Sequence, residues 1–242
     1  MDTRLRRAAI FDDLDPAAAK ALARRLSKVS FCRGHTVFSE GEPGETLYII
    51  ASGHVTITRR SPGGAPTLTA VLGASDMFGE LAVFDPGPRG SSATALTDVK
   101  AVSLSRTAMR RWIAEHPAAV DALLALLARR QRRTTDELCE LLHPDLTARV
   151  ARRLVDLAER FGTRDRDGIR VTPPLTQTDL AQLAGASRPT VHRVLADFTE
   201  RGWIRMGDRG LLVVDAASLA RRAEPPAGDS LTKHRQSQVK RG

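Results

Sequence analysis

Residues 176–200 read TQTDLAQLAGASRPTVHRVLADFTE, and this stretch decides how the C-terminal part of the chain folds. Apolar residues at positions 180, 181, 183 and 184 predict a short amphipathic helix that ends near Gly185. A second helix opens on Ser187, a residue type that caps helices, and carries apolar residues at 191, 194, 195 and 198. Two short helices joined by a glycine-containing turn favour a helix-turn-helix over an ordinary hairpin in a core.

The outer side of the second helix carries polar residues, and these suit it to nucleic acid. They are Arg188, Thr190, His192 and Arg193. A helix of this size fits the major groove, where arginine can pair with guanine through two hydrogen bonds. The formal net charge of +9 agrees, because a basic chain favours a polyanionic partner. Double-stranded DNA is therefore the predicted partner.

Residues 31–105 change in character and predict an all-β sandwich or barrel. Glycine recurs between short runs of β-forming residues at 36–38, 47–50, 54–58, 67–72, 93–96 and 100–104. Residues 8–28, which precede this region, predict one or two short helices.

Residues 117–142 predict a long helix with a heptad seam. The seam residues follow one another in steps of four and three: Val120, Leu124, Leu127, Gln131, Thr134, Leu138 and Leu141. We expect a parallel coiled-coil homodimer; the alternative is a helix packed on its own β domain. The polar interruption at Gln131 and Thr134 either fixes the register or faces a ligand at the interface.

The rest of the chain completes a winged module. His143-Pro144 predicts a hinge, 145–161 a helix and 169–171 a strand. Residues 203–206 and 211–214 flank a GDRG turn and predict a β-hairpin wing. We therefore expect an α+β chain with a β domain (1–116), a dimerisation helix (117–143), a winged helix-turn-helix (144–222) and a disordered basic tail (223–242).

Two short motifs in the β region combine groups that could hold a nucleotide. Residues 78–84 read FGELAVF and residues 89–95 read RGSSATA. Gly79 allows a tight turn, and the carboxylate of Glu80 can accept hydrogen bonds from sugar hydroxyls. The guanidinium of Arg89, beside backbone amides and small hydroxyl residues, suits a phosphate. From the residues alone, a structural ion pair between Glu80 and Arg89 is an equal alternative.

Across residues 8–222 the chain resembles the Crp/Fnr family of bacterial transcription regulators, and the β region resembles its actinobacterial cyclic-AMP receptor branch. The motifs that carry the resemblance are RGHTVFSEGEPG (33–44), LYII (47–50), DMFGEL (76–81), FDPGPR (84–89), GASR (185–188) and RGWI (201–204). The implied fold is an N-terminal cyclic-nucleotide-binding β jelly roll, a long dimerisation helix and a C-terminal winged helix-turn-helix. The implied effector is cyclic AMP.

The resemblance also implies particular residue roles. Glu80 would bind the ribose hydroxyl and Arg89 the cyclic phosphate, while Thr134 and Thr135 would touch the adenine, one from each subunit. The whole implied ligand set is Gly79, Glu80, Leu81, Arg89, Gly90, Ser91, Thr134 and Thr135. The implied DNA-binding set is Thr176, Gln177, Ser187, Arg188, Pro189, Thr190, His192 and Arg193. The implied partners are a near-palindromic DNA site, a second copy of the chain and RNA polymerase.

Three residues depart from the family's pattern. Gly90 stands where the family has a serine or threonine that also holds the phosphate; we expect Ser91 or the Gly90 amide to substitute, with lower affinity. Pro189 replaces a glutamate and cannot accept a hydrogen bond from cytosine. His192 replaces another polar residue. The operator should therefore differ from a TGTGA-type half-site.

Other classes of protein find little support. The two cysteines, Cys32 and Cys139, allow no disulfide framework, zinc site or iron–sulfur cluster, so we expect no metal. No membrane span or signal peptide is evident, which favours a cytoplasmic protein without a membrane partner. No catalytic motif was found, so we expect no enzyme. Two alternatives stay open: a DNA-binding regulator with no ligand or another effector, and a cyclic-nucleotide module acting on a protein partner.

Overall fold

The computed structural model describes residues 5–61, 63–142, 144–173, 175–207 and 210–224. These residues form two compact units. The first contains the described residues up to Leu142 together with 181–185, and the second contains the remainder from Pro144 onward. Within the described ranges, no helix is both long enough and apolar enough to cross a membrane.

The first unit is built on two four-stranded antiparallel sheets, as the glycine-punctuated β runs predicted. The strands are β1 (Ser27–Phe31), β2 (Thr36–Phe38), β3 (Thr46–Ser52), β4 (Val55–Arg60), β5 (Pro66–Leu72), β6 (Met77–Phe78), β7 (Ser92–Ala95) and β8 (Val99–Ser105). One sheet has the order β1-β8-β3-β6 and the other β2-β7-β4-β5. Mixed helix and sheet in this order confirm the predicted α+β class.

In sequence, one helix of this unit precedes the strands, one lies between β6 and β7, and two follow β8. They are α1 (Pro16–Ala23), α2 (Leu81–Phe84), α3 (Arg106–Glu115) and α4 (Ala119–Leu142). The prediction of one or two short helices across 8–28 is confirmed for most of this range and was wrong at its C-terminal end. Two 3₁₀ turns precede α1, which begins where Asp15 accepts hydrogen bonds from the amides of Ala17 and Ala18 at 2.9 and 3.0 Å. Residues 27–28 already belong to β1.

Strand β3 shows how the core is divided. Side chains alternate across a strand, so its apolar run serves two clusters. Leu47 and Ile49 pack with α1, α3 and the first half of α4, whereas Tyr48 and Ile50 pack between the sheets. Burial on both faces explains why this segment is continuously apolar.

The second unit is a helical module with one small sheet. The elements from residue 144 onward are α5 (Leu146–Phe161), β9 (Gly162–Asp165), β10 (Gly168–Val171), α6 (Gln177–Leu183), α7 (Arg188–Glu200), β11 (Ile204–Gly207), β12 (Gly210–Val213) and α8 (Ala216–Ala223). All belong to the second unit except residues 181–183 at the end of α6. The sheet order is β11-β12-β10-β9. The predicted wing is the β11–β12 hairpin, whose turn residues 208–209 lie outside the described residues, as do His143 of the predicted hinge and residues 225–242 of the predicted tail.

Two elements of this unit were missed because their sequences carry weak patterns. Strand β9 is a polar edge strand, held to β10 partly by the ion pair between Asp165 and Arg170. Helix α8 occupies residues assigned to the end of the module and reaches Ala223, the first residue of the predicted tail. Its Leu219 is fully buried, and that burial is a tertiary effect.

Asp145 joins the start of α5 to α8. Its carboxylate accepts from the amide of Ala148 at 3.1 Å, which caps α5, and pairs with the guanidinium of Arg222 at 2.8 Å. The hydrogen bond from Arg222 holds the pKa of Asp145 below its ordinary value of 3.8. A lowered folded pKa means that this stabilisation is present above pH 3.8 and is lost as the pH falls through the folded value.

Replacing Asp145 tests this junction. Asp145→Ala should lower the free energy of unfolding of the second unit by about 1–2 kcal/mol, because the cap and a partly exposed ion pair are both lost. Asp145→Asn keeps the capping oxygen and should lower the free energy of unfolding by less. The difference between this variant and wild type should shrink below pH 3.8, where the wild-type carboxylate becomes protonated. Urea unfolding followed by circular dichroism measures both. Equal urea midpoints for Asp145→Ala and wild type at pH 7 would contradict a stabilising role for Asp145 at this junction.

Candidate functional site

The two β-region motifs meet around the turn that follows β6. Gly79 lies in this turn with φ +75°, a left-handed conformation that disfavours any side chain. A Cβ at this position would lie 2.8 Å from Nη1 of Arg89 and 3.0 Å from the carbonyl oxygen of Thr46. Gly79 therefore lets the chain turn and lets the arginine approach it.

The side chain of Arg89 is buried at the centre of this arrangement, with 7% of the residue exposed. Its Nη1 donates to the carbonyl oxygen of Gly79 at 2.7 Å, and its Nη2 donates to that of Thr46 at 2.8 Å. Its Cζ lies 4.1 Å from the ring centroid of Phe38. Burial lowers the pKa of Arg89, with Tyr48, Glu80 and Glu42 opposing the shift, and a guanidinium stays charged in proteins.

The hydrogen-bonding capacity of Arg89 is not exhausted by these contacts. A guanidinium has five N–H groups, and the two carbonyls accept from two of them. Its Nε is enclosed and has no hydrogen-bond partner among the described residues. An enclosed cationic donor without a partner is costly by itself, and an anionic acceptor would relieve that cost. The donor set therefore fits a phosphate group.

Glu80 is paired with Arg130 of α4 rather than with Arg89, so the direct ion pair considered from the sequence is not formed. The carboxylate of Glu80, a residue with 8% exposure, contacts Nη1 of Arg130. Nη2 of Arg130 donates to the carbonyl oxygen of Met77 at 2.6 Å. The motif is thereby tied directly to the long helix.

Arg130 was missed by the sequence reasoning, which followed only the seam side of α4. A signal was present: Leu123, Leu126 and Arg130 are spaced by three and four residues, which places them on one helical face. Leu123 and Leu126 are buried in the core of the β domain, so the arginine continues a buried stripe.

The other predicted ligand residues are mostly exposed. Thr134 follows Arg130 by about one turn, but both Thr134 and Thr135 are exposed and donate to carbonyls one turn earlier, at 3.1 and 3.0 Å. Leu81 is 67% exposed at the start of α2. Gly90 is exposed, Ser91 is half-buried, and a Cβ at Gly90 would meet nothing within 4 Å.

Helix α4 has two apolar faces, and one of them forms the packing on the chain's own β domain that was weighed from the sequence. Ala119, Leu123 and Leu126 pack into the core of the chain's own β domain. The predicted seam lies on another side. Leu124 and Leu138 are 58% and 56% exposed, Leu141 is exposed as well, and Val120 and Leu127 are half-buried. Gln131 is also exposed.

The helix-turn-helix forms as its sequence indicates. Thr176 and Asp179 make a capping box at the start of α6: the Asp179 carboxylate accepts from the Thr176 amide at 2.8 Å, and the Thr176 hydroxyl accepts from the Asp179 amide at 3.1 Å. Gln177, the first residue of α6, is half-buried. Gly185 takes φ +62° between the two helices.

Helix α7 presents the predicted polar set on its outer face. Val191, Leu195 and Phe198 are buried, while Val194, expected in the core, is half-buried. The exposed residues are Ser187, Arg188, Pro189, His192 and Arg193, with Thr190 half-buried. Ser187 occupies the cap position, but its hydroxyl bonds the Thr190 hydroxyl at 2.6 Å instead of a backbone amide. The expectation of a side-chain cap was wrong here.

A β domain with an enclosed arginine and a winged module with an exposed basic helix define a class of ligand-controlled DNA-binding protein. Comparison with family models agrees: residues 28–116 match a cyclic nucleotide-binding domain, and residues 148–222 match a Crp-like helix-turn-helix domain. The chain belongs to the Crp/Fnr family of DNA-binding transcription regulators, as the sequence motifs indicated.

Individual relatives support this placement. A CRP-like cAMP-activated global transcriptional regulator from Mycobacterium tuberculosis is 54% identical over 223 residues, which cover 92% of this chain and all of the relative. The cyclic AMP receptor protein of Thermus thermophilus is 34% identical over 210 residues, covering 87% of this chain and 94% of the relative. A solved CRP-family regulator from the same species has a TM-score of 0.69 at 31% identity, with 81% of this chain and 96% of that chain covered.

Two glycine substitutions test the geometry around Arg89. Gly79→Ala should destabilise the β domain by about 1–3 kcal/mol, because its left-handed φ is strained for alanine and the new Cβ meets Arg89. Gly90→Ala is the matched control and should change stability by less than about 0.5 kcal/mol. Denaturant unfolding monitored by tryptophan fluorescence provides both values. Equal losses in the free energy of unfolding for Gly79→Ala and Gly90→Ala would contradict a special requirement for glycine at position 79.

Proposed function

We propose that this chain is a homodimeric transcription regulator that binds a near-palindromic DNA site under the control of cyclic AMP. The observation that carries the effector assignment is the enclosed Arg89 guanidinium, which has an unpartnered Nε and lies in the same motif as Glu80. The Mycobacterium and Thermus relatives, which are named as cAMP-activated and as a cyclic AMP receptor, support the same effector.

Each residue of the proposed site suits a different chemical group of the nucleotide. Arg89 would take the singly charged cyclic phosphate, helped by the Gly90 amide or the Ser91 hydroxyl. Glu80 would accept a hydrogen bond from the ribose hydroxyl while keeping an oxygen for Arg130. The hydroxyls of Thr134 and Thr135 would serve the base, one from each subunit. Gly79 and Leu81 would border the site.

The homodimer is supported by the uncovered face of α4. Leu124, Leu138 and Leu141 line this face at heptad spacing and are exposed in the single chain. A second copy of the helix, running parallel, would cover them. Gln131 and Thr134 then lie at seam positions in the half of the helix that follows Arg130. Residues 117–143 would thus serve as the dimerisation helix between a β domain (1–116) and a DNA-binding module (144–222).

Control of DNA binding requires that cyclic AMP have different affinities for two arrangements of the dimer. Helix α4 would connect the ligand site to the dimer interface, because Arg130 contacts Glu80 in the ligand motif and the exposed seam would face the partner subunit. A change in the contacts of Glu80 would therefore alter the position of Arg130 and, through it, the packing of α4 against the partner's α4. RNA polymerase is the further partner that regulated transcription implies.

Nucleotide titration by calorimetry tests the effector assignment. Arg89→Gln should abolish measurable binding of cyclic AMP, because the phosphate loses its cationic donor. Gly90→Ser should tighten binding by about threefold to tenfold, because a hydroxyl is added where space is open. Arg110→Gln, an exposed arginine on α3, is the control and should bind as wild type does.

The titration separates the open alternatives. A wild-type protein that binds its operator equally well with and without cyclic AMP, and shows no heat at millimolar nucleotide, would overturn the effector assignment and favour a regulator of another kind. A protein that binds nucleotide but no DNA would favour a module acting on a protein partner.

Operator binding tests the exposed face of α7. Arg193→Ala should weaken specific binding by about 1–3 kcal/mol, because a bidentate base contact is lost, whereas Arg110→Ala should not. Pro189→Glu should shift the preferred base pair at one position of each half-site by a similar free energy, because glutamate accepts from cytosine. Selection from a randomised duplex pool, followed by fluorescence anisotropy, measures both. An unchanged site preference for Pro189→Glu would show that residue 189 does not face a base.

A further inference from the structure

The attachment of α4 to its own β domain ends at two consecutive arginines. Leu126 is the last buried residue of the helix, and residues 131–136 are all exposed. Arg129 and Arg130 lie between these regions, and each contacts a different part of the first unit. Because successive residues of an α-helix are rotated by about 100°, the two side chains leave the helix in different directions.

Arg129 is held by the N-terminal segment. Its Nη1 donates to the carboxylate of Asp13 at 2.8 Å. Its Nη2 is enclosed and has no hydrogen-bond partner among the described residues, so this guanidinium is only partly in solvent. Asp13 itself has φ +62°, a left-handed conformation that aspartate and asparagine tolerate better than most residues.

The segment that carries Asp13 is fixed to the same core as α4. Leu5, Ala8 and Ile10 are buried in one cluster with Leu123 and Leu126. Asp13 is therefore a fixed point on the β domain. Its pairing with Arg129 constrains the helix from one side, while Glu80 and the Met77 carbonyl constrain Arg130 from another.

We propose that Asp13 is a positioning residue for the nucleotide site: by holding Arg129 it fixes the rotation of α4 about its axis, and that rotation places Arg130 against Glu80. The buried residues of α4 end at Leu126, so beyond that residue the rotation of the helix is held by these two tethers on different sides and not by the core. This inference rests on the proposed function, because Glu80 matters to it as the ribose-binding group.

The pairing of Asp13 with Arg129 contributes little to overall stability, which makes the positioning role separable from folding. Both side chains are substantially exposed, 57% for Asp13 and 41% for Arg129, and ion pairs of this kind add little to the free energy of unfolding. A substitution should therefore alter nucleotide binding while the unfolding midpoint stays near that of wild type.

A double-mutant cycle tests the proposal in the full-length protein. Asp13→Asn, which suits the same left-handed backbone, and Arg129→Gln should each weaken cyclic AMP binding by about threefold to fivefold, and the double variant should show little further loss. Asp12→Asn, at the neighbouring exposed carboxylate, is the control and should match wild type. Calorimetry gives the affinities, and hydrogen exchange of amides 127–133 reports the attachment of the helix directly.

The affinities and the exchange rates together test the positioning role of Asp13. Equal affinities for Asp13→Asn, Asp12→Asn and wild type, or fully additive losses in the double variant, would overturn the positioning role. If wild type fails to bind cyclic AMP, the effector assignment fails instead, and hydrogen exchange then decides alone: faster exchange at 127–133 in Asp13→Asn but not in Asp12→Asn supports the tether, and unchanged exchange overturns it.

Discussion

The burial of a charged guanidinium is the constraint around which the β domain is arranged. Removing Arg89 from water is expensive unless its N–H groups find acceptors, and the domain supplies them from the backbone. The carbonyls of Gly79 and Thr46 point at the guanidinium, and the ring of Phe38 lies against its face. Gly79 is needed because a side chain there would meet Arg89. The Nε of Arg89 is enclosed and has no hydrogen-bond partner in the part of the chain that the structure describes, and an anionic acceptor would supply one.

The long helix α4 connects the motif around Arg89 and Glu80 to an exposed apolar surface that would suit a second subunit. One stripe of α4 is packed into the β domain, and Arg130 continues that stripe as far as Glu80. On the other side, the seam residues Leu124, Leu138 and Leu141 remain exposed. A helix that is packed on one face and exposed on another can transmit a local change at a carboxylate to the arrangement of two subunits. Ligand control of a dimer requires such a connection.

The winged helix-turn-helix module combines a buried apolar interior with an exposed polar face on α7. The capping box at Thr176 and the buried residues of α7 fix the two helices, so that Arg188, His192 and Arg193 are presented from a stable support. Pro189 fits the first turn of α7 because that turn needs no amide there, yet it offers no acceptor to a base. Proline at this position therefore preserves the helix and, under the proposed DNA contacts, would change the base pair that is recognised.

Several features were determined by the sequence alone, because they depend on local patterns. Glycine-punctuated β runs gave the sandwich, the spacing around Gly185 gave the helix-turn-helix, and the heptad steps gave the uncovered face of α4. Only the tertiary structure decided that Glu80 pairs with Arg130, that Asp13 holds Arg129 and that α8 packs as a helix. These contacts join residues far apart in the chain, and no local periodicity records which distant carboxylate an arginine will meet once the core has brought the two together.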